Sequence, residues 1–386
     1  MHMGALCISV GLTFNKRGEM PQGGERRTPF GAPKGKAMVL ILRLDRKNFP
    51  QRLKNVLKLW CVFPLCGWEA LLYQGWRLNG MNKTALYLIY FCIYSAALLL
   101  IGKSSLREDP TARSYFLCDR TASLPLCICT FVGTWLSAIT ILSLTGGVYE
   151  DGLAVLAYSV FPWFLGAFLL AAVSRRLYAH NVVTIPELFG QRYQSPALQV
   201  VYGAIMVVVY VCYLVTQYKG FGTVAAALFD IPYPVAVLMV YLFVLYTTFG
   251  GYRSVLRTDA FNLVLLVLSL AVLLVLMIGW VGGFPELYAQ AGTLTGSDPS
   301  KDLLSLFNDR YTPLICMSMF WGWGLGLAAN PQYMVRVLSA RNARSARWTV
   351  LGSLILLAFL YFALVHIGLA ARVLAPQSPD VASSDE

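Results

Sequence analysis

Eight stretches of about twenty apolar residues run through this chain: Ala85–Gly102, Leu124–Tyr149, Leu153–Val173, Val200–Gln217, Pro232–Thr248, Ala260–Val281, Leu314–Val337 and Thr349–Ala370. Each is long enough, as a helix, to cross the hydrocarbon of a bilayer. In that medium every backbone polar group must be satisfied within the protein. Composition agrees: 13% of residues are charged and 57% hydrophobic, with mean hydropathy +0.61, whereas soluble domains carry about 25% charged residues. The expected fold class is an all-α polytopic membrane protein.

Two stretches contain small residues at mid-depth. Leu124–Tyr149 carries TWLSAITILSLTGG, and Leu314–Val337 carries FWGWGLGLAANPQY. A helix interrupted inside a bilayer frees backbone groups, which is tolerated around a buried site or an aqueous cavity. A pair of such breaks in corresponding positions of two repeats points to a transporter's binding site. The breaks are expected near Ser143, Thr145, Gly146 and Gly147, and where Gly322, Gly324 and Gly326 alternate. The competing reading is that these small residues let helices pack closely.

Charge orients the spans. With the first stretch running inward, thirteen Lys and Arg fall on the inside: Lys103, Arg107, Arg113, Arg120, Arg175, Arg176, Arg192, Arg253, Arg257, Arg336, Arg341, Arg344 and Arg347. From the second span onward the outside holds four, Lys219, Lys301, Arg310 and Arg372. Positive charge gathers on the cytoplasmic side, so the second span rises outward and the seventh descends. The two interrupted spans are therefore antiparallel, as an inverted repeat requires.

These readings divide the chain. Residues 1–80 form a basic, poorly ordered extension with a weak extra span at 59–73. A native start at Met81 is expected, with translated leader sequence upstream. A leader span and inside loop occupy 81–123, a first five-helix repeat 124–281, an outside loop 282–311, the first two helices of a second repeat 312–372, and a polar tail 373–386. The second repeat is expected to be truncated after two helices. The nine cysteines lack zinc-ligand spacing, and neither an HExxH motif nor a nucleophile and base at helical spacing occurs. No enzyme is expected, and no cluster of metal-ligating side chains.

Five segments in order resemble the sodium/solute symporter family: TWLSAITILSLTGGVYEDGLA, VTIPELFGQRY, TTFGGYRSVLRTDAFN, PQYMVRVLSARNARSAR and GLAARVL. The resemblance spans roughly residues 84–380. It implies a LeuT-like inverted-repeat fold and import of a sugar, proline, pantothenate, iodide or a monocarboxylate. It places backbone carbonyls of Gly133 and Leu136 against sodium, with further hydroxyls on an eighth core helix that this sequence does not contain. It aligns Thr140, Tyr158 and Ser159 with solute-contacting positions, and Gly324 and Leu327 with a sugar-binding amide and an aromatic gate.

From the residues themselves, Thr130, Thr134, Ser137 and Ile141 share one face at helical spacing. Hydroxyl and carbonyl oxygens suit a hard monovalent cation, and half-helix N-termini suit an anionic group. Ser137, Trp321, Trp323 and Asn330 complete the candidate pocket. Several positions depart from the family pattern. Trp135 stands where proline carriers place an acid, Ser159 replaces a carboxylate, and a glycine and a leucine occupy the sugar positions, which argues against both proline and sugar.

The expected function is sodium-coupled import of a small organic solute such as a carboxylate, vitamin or amino acid, in a bacterial cytoplasmic membrane. No cofactor is expected beyond sodium as coupling ion. The partners are the solute, sodium and the lipid bilayer, with no nucleic acid. The alternatives are a solute-sensing membrane module of a signalling system and an inactive symporter fragment. His366 is read as a hydrogen-bonded structural residue, and Arg341, Arg344 and Arg347 as a solvated inside stripe.

Overall fold

A computed structural model describes residues 83–103, 111–248, 251–296, 300 and 302–376. The expectations placed on residues 1–80 and on most of the tail lie outside the described residues. Thirteen α-helices are described: α1 (Lys83–Lys103), α2 (Ala112–Leu117), α3 (Leu124–Trp135), α4 (Ala138–Asp151), α5 (Phe161–Ala179), α6 (Ile185–Tyr193), α7 (Pro196–Phe229), α8 (Tyr233–Thr248), α9 (Gly251–Val281), α10 (Phe284–Ala291), α11 (Pro313–Ala328), α12 (Pro331–Leu338) and α13 (Ala343–Leu374). Among the described residues β pairing is limited to two isolated bridges.

All eight apolar stretches fall on helices. Among the described residues four helices are long and apolar enough to cross a membrane, five spans with the bent pair α3/α4, and α1, α8 and α11 contain shorter apolar helices. The fold is all-α, and α13 is its hub, with 72% of its most apolar window buried inside the protein. It packs against α3, α4, α5 and α9. By contrast none of the corresponding window of α7 is buried, so that helix presents its apolar surface outward, as a lipid-facing span does.

Both interruptions exist, but not where the glycines suggest. The second span bends by 56° between α3 and α4, at Leu136 and Ser137. The seventh is interrupted at Ala329 and Asn330. In each case the helix restarts on an N-cap side chain: Ser137 Oγ accepts from the Thr140 N–H at 3.1 Å, and Asn330 Oδ1 from the Gln332 N–H at 3.0 Å. Such caps satisfy the donors that a helix start leaves open. Pro331, at the first position of α12, needs no donor there.

Ser143–Gly147 lie inside α4, and Gly322, Gly324 and Gly326 inside α11. Thr130 and Thr134 are thereby cut off from Ser137 and Ile141, and the four do not share one continuous helix face. Close packing accounts for Gly147 and Gly324, while nothing lies within 4 Å of a Cβ at Gly146, Gly322 or Gly326. A Cβ on Gly166 would run into the Gly324 carbonyl oxygen, and one on Gly147 would sit 3.2 Å from the Tyr158 hydroxyl.

The inner ends of the two broken spans meet. Ala122, just before α3, bridges to Ala340, just after α12. Beside them Arg120 is buried. It donates to the Val182 and Tyr178 carbonyls at 3.2 and 3.4 Å and lies 4.7 Å from the Tyr178 ring centre. Burial pulls the pKa of this loop guanidinium down. One of the thirteen inside charges is thus a structural clamp rather than a solvated one. Arg341, Arg344 and Arg347 are exposed.

Candidate functional site

The end of α3 frees the carbonyls of its last turn, Gly133 among them, and Leu136 follows in extended backbone. Against this end lies a carboxylate. Asp259 Oδ2 accepts from the Thr130 hydroxyl at 2.5 Å. A Cβ on Gly133 would meet the Asp259 Cβ and Cγ at 3.4 Å, an ordinary van der Waals contact, so the acid packs directly on this position. Thr130 stands six residues along α3 and Asp259 eight along α9. At a 1.5 Å rise both lie about 9–12 Å from the inner ends of their helices. The carboxylate therefore lies about two turns in from the start of each helix, alongside the last turns of α3.

Asp259 belongs to the TTFGGYRSVLRTDAFN segment, yet it is absent from the site residues expected from sequence. The available signal is that Asp259 is the single acid of α9, one residue before the apolar stretch that begins at Ala260. Spacing alone does not pair it with Thr130, 129 positions away. One turn further, Asn262 accepts from the Tyr94 hydroxyl of α1 at 2.9 Å, which holds the leader helix against this part of α9.

On the other side of the break, Ser137 and Thr140 join their hydroxyls at 2.9 Å. Just before it, Trp135 is 1% exposed. Its indole N–H donates to the Tyr361 hydroxyl at 2.8 Å, and its ring lies 5.1 Å from Trp163 and 5.7 Å from Tyr333. Phe131 and Phe164 extend the cluster. Aromatic rings from α3, α5, α12 and α13 thus form a plug under the bend, at separations where edge and offset contacts are favourable. Part of it is visible in the sequence as isolated tryptophans, but their convergence is not.

Tyr158 and Ser159 lie on a π-helical turn, Leu156–Val160, that leads into α5. Pro162 explains the turn. It has no N–H to offer the Tyr158 carbonyl four residues back, and the Phe161 N–H bonds to Leu156 instead. Single π turns recur at functional sites. The Tyr158 ring stacks on Tyr311 of the outside segment, with centroids 3.9 Å apart and planes 19° from parallel. Burial raises the pKa of the Tyr311 phenol, so it stays neutral over that ring.

The remaining candidates separate. Gly324 and Leu327 face α5, in a seam against Pro162, Leu165 and Gly166, and act as packing surface. Trp321 is 51% exposed, on the outer side of α11 and away from the break. Trp323 reaches inward to Trp163, with ring centres 6.1 Å apart. Asn330 accepts from the Tyr210 hydroxyl at 3.1 Å, which ties the second break to α7. His366 bonds Tyr288 and the Phe362 carbonyl, each at 2.7 Å, the structural role expected of it.

These features define a polytopic helical membrane protein with a broken span built around a polar, acid-bearing site. The sequence model of the "Sodium:solute symporter family" matches residues 115–386, and the chain belongs to that family. Among curated relatives it is similar to Sodium/proline symporter 2 of Staphylococcus saprophyticus, 26% identical over 284 residues, covering 69% of this chain and 54% of that protein. It is also similar to the osmoregulated proline transporter OpuE of Bacillus subtilis, 24% identical over 283 residues, covering 68% and 56%. A Sodium/proline symporter of Staphylococcus aureus is 24% identical over 267 residues, covering 66% and 50%. The chain spans about half the length of the curated relatives it matches.

Proposed function

We propose that this protein takes part in sodium-coupled import of a small organic solute by alternating access around the breaks in its second and seventh spans. The observation that carries the reading is the Asp259 carboxylate, hydrogen-bonded by Thr130 and set against Gly133 where α3 ends. A carboxylate, a hydroxyl and the freed carbonyls of Gly133 and Leu136 offer the oxygen-only environment that a hard cation prefers to imidazole or thiolate. Hydrogen bonding to Thr130 lowers the cost of holding the acid within a membrane span.

In this reading the cation enters from outside, neutralises the acid and steadies the α3 end. The aromatic plug then sets whether the path to the inside is open. The antiparallel broken spans support a LeuT-like inverted-repeat arrangement, with residues 124–281 as the first repeat and 312–372 as the start of the second. Ser137, Thr140, Tyr158 and Ser159 are the solute-facing residues of choice, since they flank the first break and the π turn.

The names of the relatives make amino acids the first solutes to screen. Trp135 and Ser159 distinguish this chain, because neither carries a charge and the Trp135 indole is committed to Tyr361. Uptake of radiolabelled solutes into vesicles, with sodium replaced by choline, tests the reading. Uptake indifferent to that replacement would refute sodium coupling.

A further inference from the structure

The end of α5 and the start of α13 meet at a group of arginines that neither the break nor the aromatic plug uses. The Tyr178 hydroxyl donates to the Arg341 carbonyl at 3.1 Å, which holds the last turn of α5 against the start of α13. Arg341, Arg344 and Arg347 are exposed there, and so is Arg175, one turn before Tyr178 on the same side of α5. Among the described residues no carboxylate pairs with any of the four. The start of α13 adds to their positive potential. A helix N-terminus favours acids, yet the first turn of α13 carries none and Arg344 stands in it.

An apolar track continues from these charges. Most of α13 is buried, but Trp348, Ile355 and Phe359 are exposed. Steps of seven and four residues put the three on one face, and Arg344, four residues before Trp348, opens it. From Trp348 to Phe359 the helix rises about 16 Å, close to one leaflet's half of the roughly 30 Å hydrocarbon core. Guanidinium groups thus stand at one end of a track one leaflet long, with an indole between the two. Tryptophan concentrates at the boundary of water and hydrocarbon, and basic pockets between spans on the cytoplasmic side hold anionic headgroups. A soluble phosphate would use the charges and leave the track without a role.

We propose that Arg341, Arg344 and Arg347 of α13, with Arg175 of α5, bind the headgroup of an anionic phospholipid of the cytoplasmic leaflet, whose acyl chain lies along Trp348, Ile355 and Phe359. Planar guanidinium forks match phosphate oxygens. The headgroup fastens α5 to α13 beside the bond between Tyr178 and Arg341. The site does not depend on sodium coupling.

The test reconstitutes the purified protein in phosphatidylcholine vesicles containing a varied fraction of phosphatidylglycerol, with bromine on the acyl chains of one lipid or the other. Bromine quenches indole fluorescence on contact. At equal mole fraction, brominated phosphatidylglycerol should quench more than brominated phosphatidylcholine, by an excess that saturates. Trp348→Phe should remove most of that excess, which locates the lipid. Combining Arg344→Gln with Arg347→Gln should raise half-saturation at least tenfold, at about fivefold for each charge. Combining Arg344→Lys with Arg347→Lys should keep it within about threefold. Quenching by brominated phosphatidylcholine should be the same in all arginine variants, which reports that they are folded and inserted.

Lys219→Gln, an exposed cation that the same charge count sets outside, should bind phosphatidylglycerol like wild type. Millimolar sodium phosphate should leave the excess unchanged. Equal quenching by the two lipids in wild type overturns the proposal, as does an excess that survives Trp348→Phe or the paired glutamine variant. A loss of equal size in Lys219→Gln would reduce the effect to net charge, and displacement by phosphate would make the arginines a site for a free anion. Either result also overturns it.

Discussion

Thr130 donates its hydroxyl to Asp259 at 2.5 Å, joining the helix that breaks to a helix that does not. The bond places the acid alongside the last turns of α3, against Gly133. If a cation is held there, the protein is more stable with it than without, by about 1.4 kcal/mol at ten times its dissociation constant. Sodium should raise the thermal midpoint relative to choline, and Asp259→Asn, similar in shape but uncharged, should remove the difference. A sodium effect of wild-type size in Asp259→Asn would exclude this acid from the site.

The indole of Trp135 and the hydroxyl of Tyr361 are both buried, so removing one leaves the other unanswered. Tyr361→Phe should cost about 1–3 kcal/mol. Trp135→Phe should cost more, because it also removes ring volume. The double variant should cost less than the sum, by about 0.5–3 kcal/mol of coupling, as measured by denaturant unfolding in mixed micelles. Additive losses would mean that the bond contributes nothing to stability.

Gly166 and Gly324 form the crossing of α5 and α11. Gly166→Ala drives a methyl group into the Gly324 carbonyl oxygen, a backbone clash that no side-chain rotation relieves. A loss of about 1–3 kcal/mol is expected, seen as reduced monodisperse yield and a lower thermal midpoint. Gly146→Ala is the control, since nothing lies within 4 Å of the methyl group it would add. It should be neutral or stabilising by up to about 1 kcal/mol through helix propensity.

Tyr311 covers Tyr158 from the outside. Replacing it by alanine removes the stack and should expose the π turn. Labelling of a Ser159→Cys variant by a membrane-impermeant maleimide added outside should rise several-fold in the Tyr311→Ala background. Equal labelling with and without Tyr311 would show that the stack does not screen Ser159.

Local chemistry locates the breaks more closely than glycine content does. Ser137, an N-cap residue type, and Asn330 followed by Pro331 at the first helical position are helix-start signals. They mark the interruptions within the same stretches that Gly146, Gly147, Gly322, Gly324 and Gly326 make conspicuous. Glycine is ambiguous because it serves irregular backbone and close packing equally well, and only the neighbouring helix decides between them. Gly324 meets Gly166 of α5, and Gly147 meets Tyr158, so packing prevails at both.

Length and hydropathy marked the eight apolar stretches that fall on helices, and the arginines set the orientation expected for them, because bilayer thickness and surface charge act on local sequence. The family was also legible in five short segments. Tertiary structure alone brought Asp259 to Gly133, gathered Trp135, Trp163, Tyr333 and Tyr361 into one plug, and turned Trp321 outward. These relationships join residues on helices far apart in the chain. Their distances follow from how helices pack, and spacing along a sequence carries no record of that.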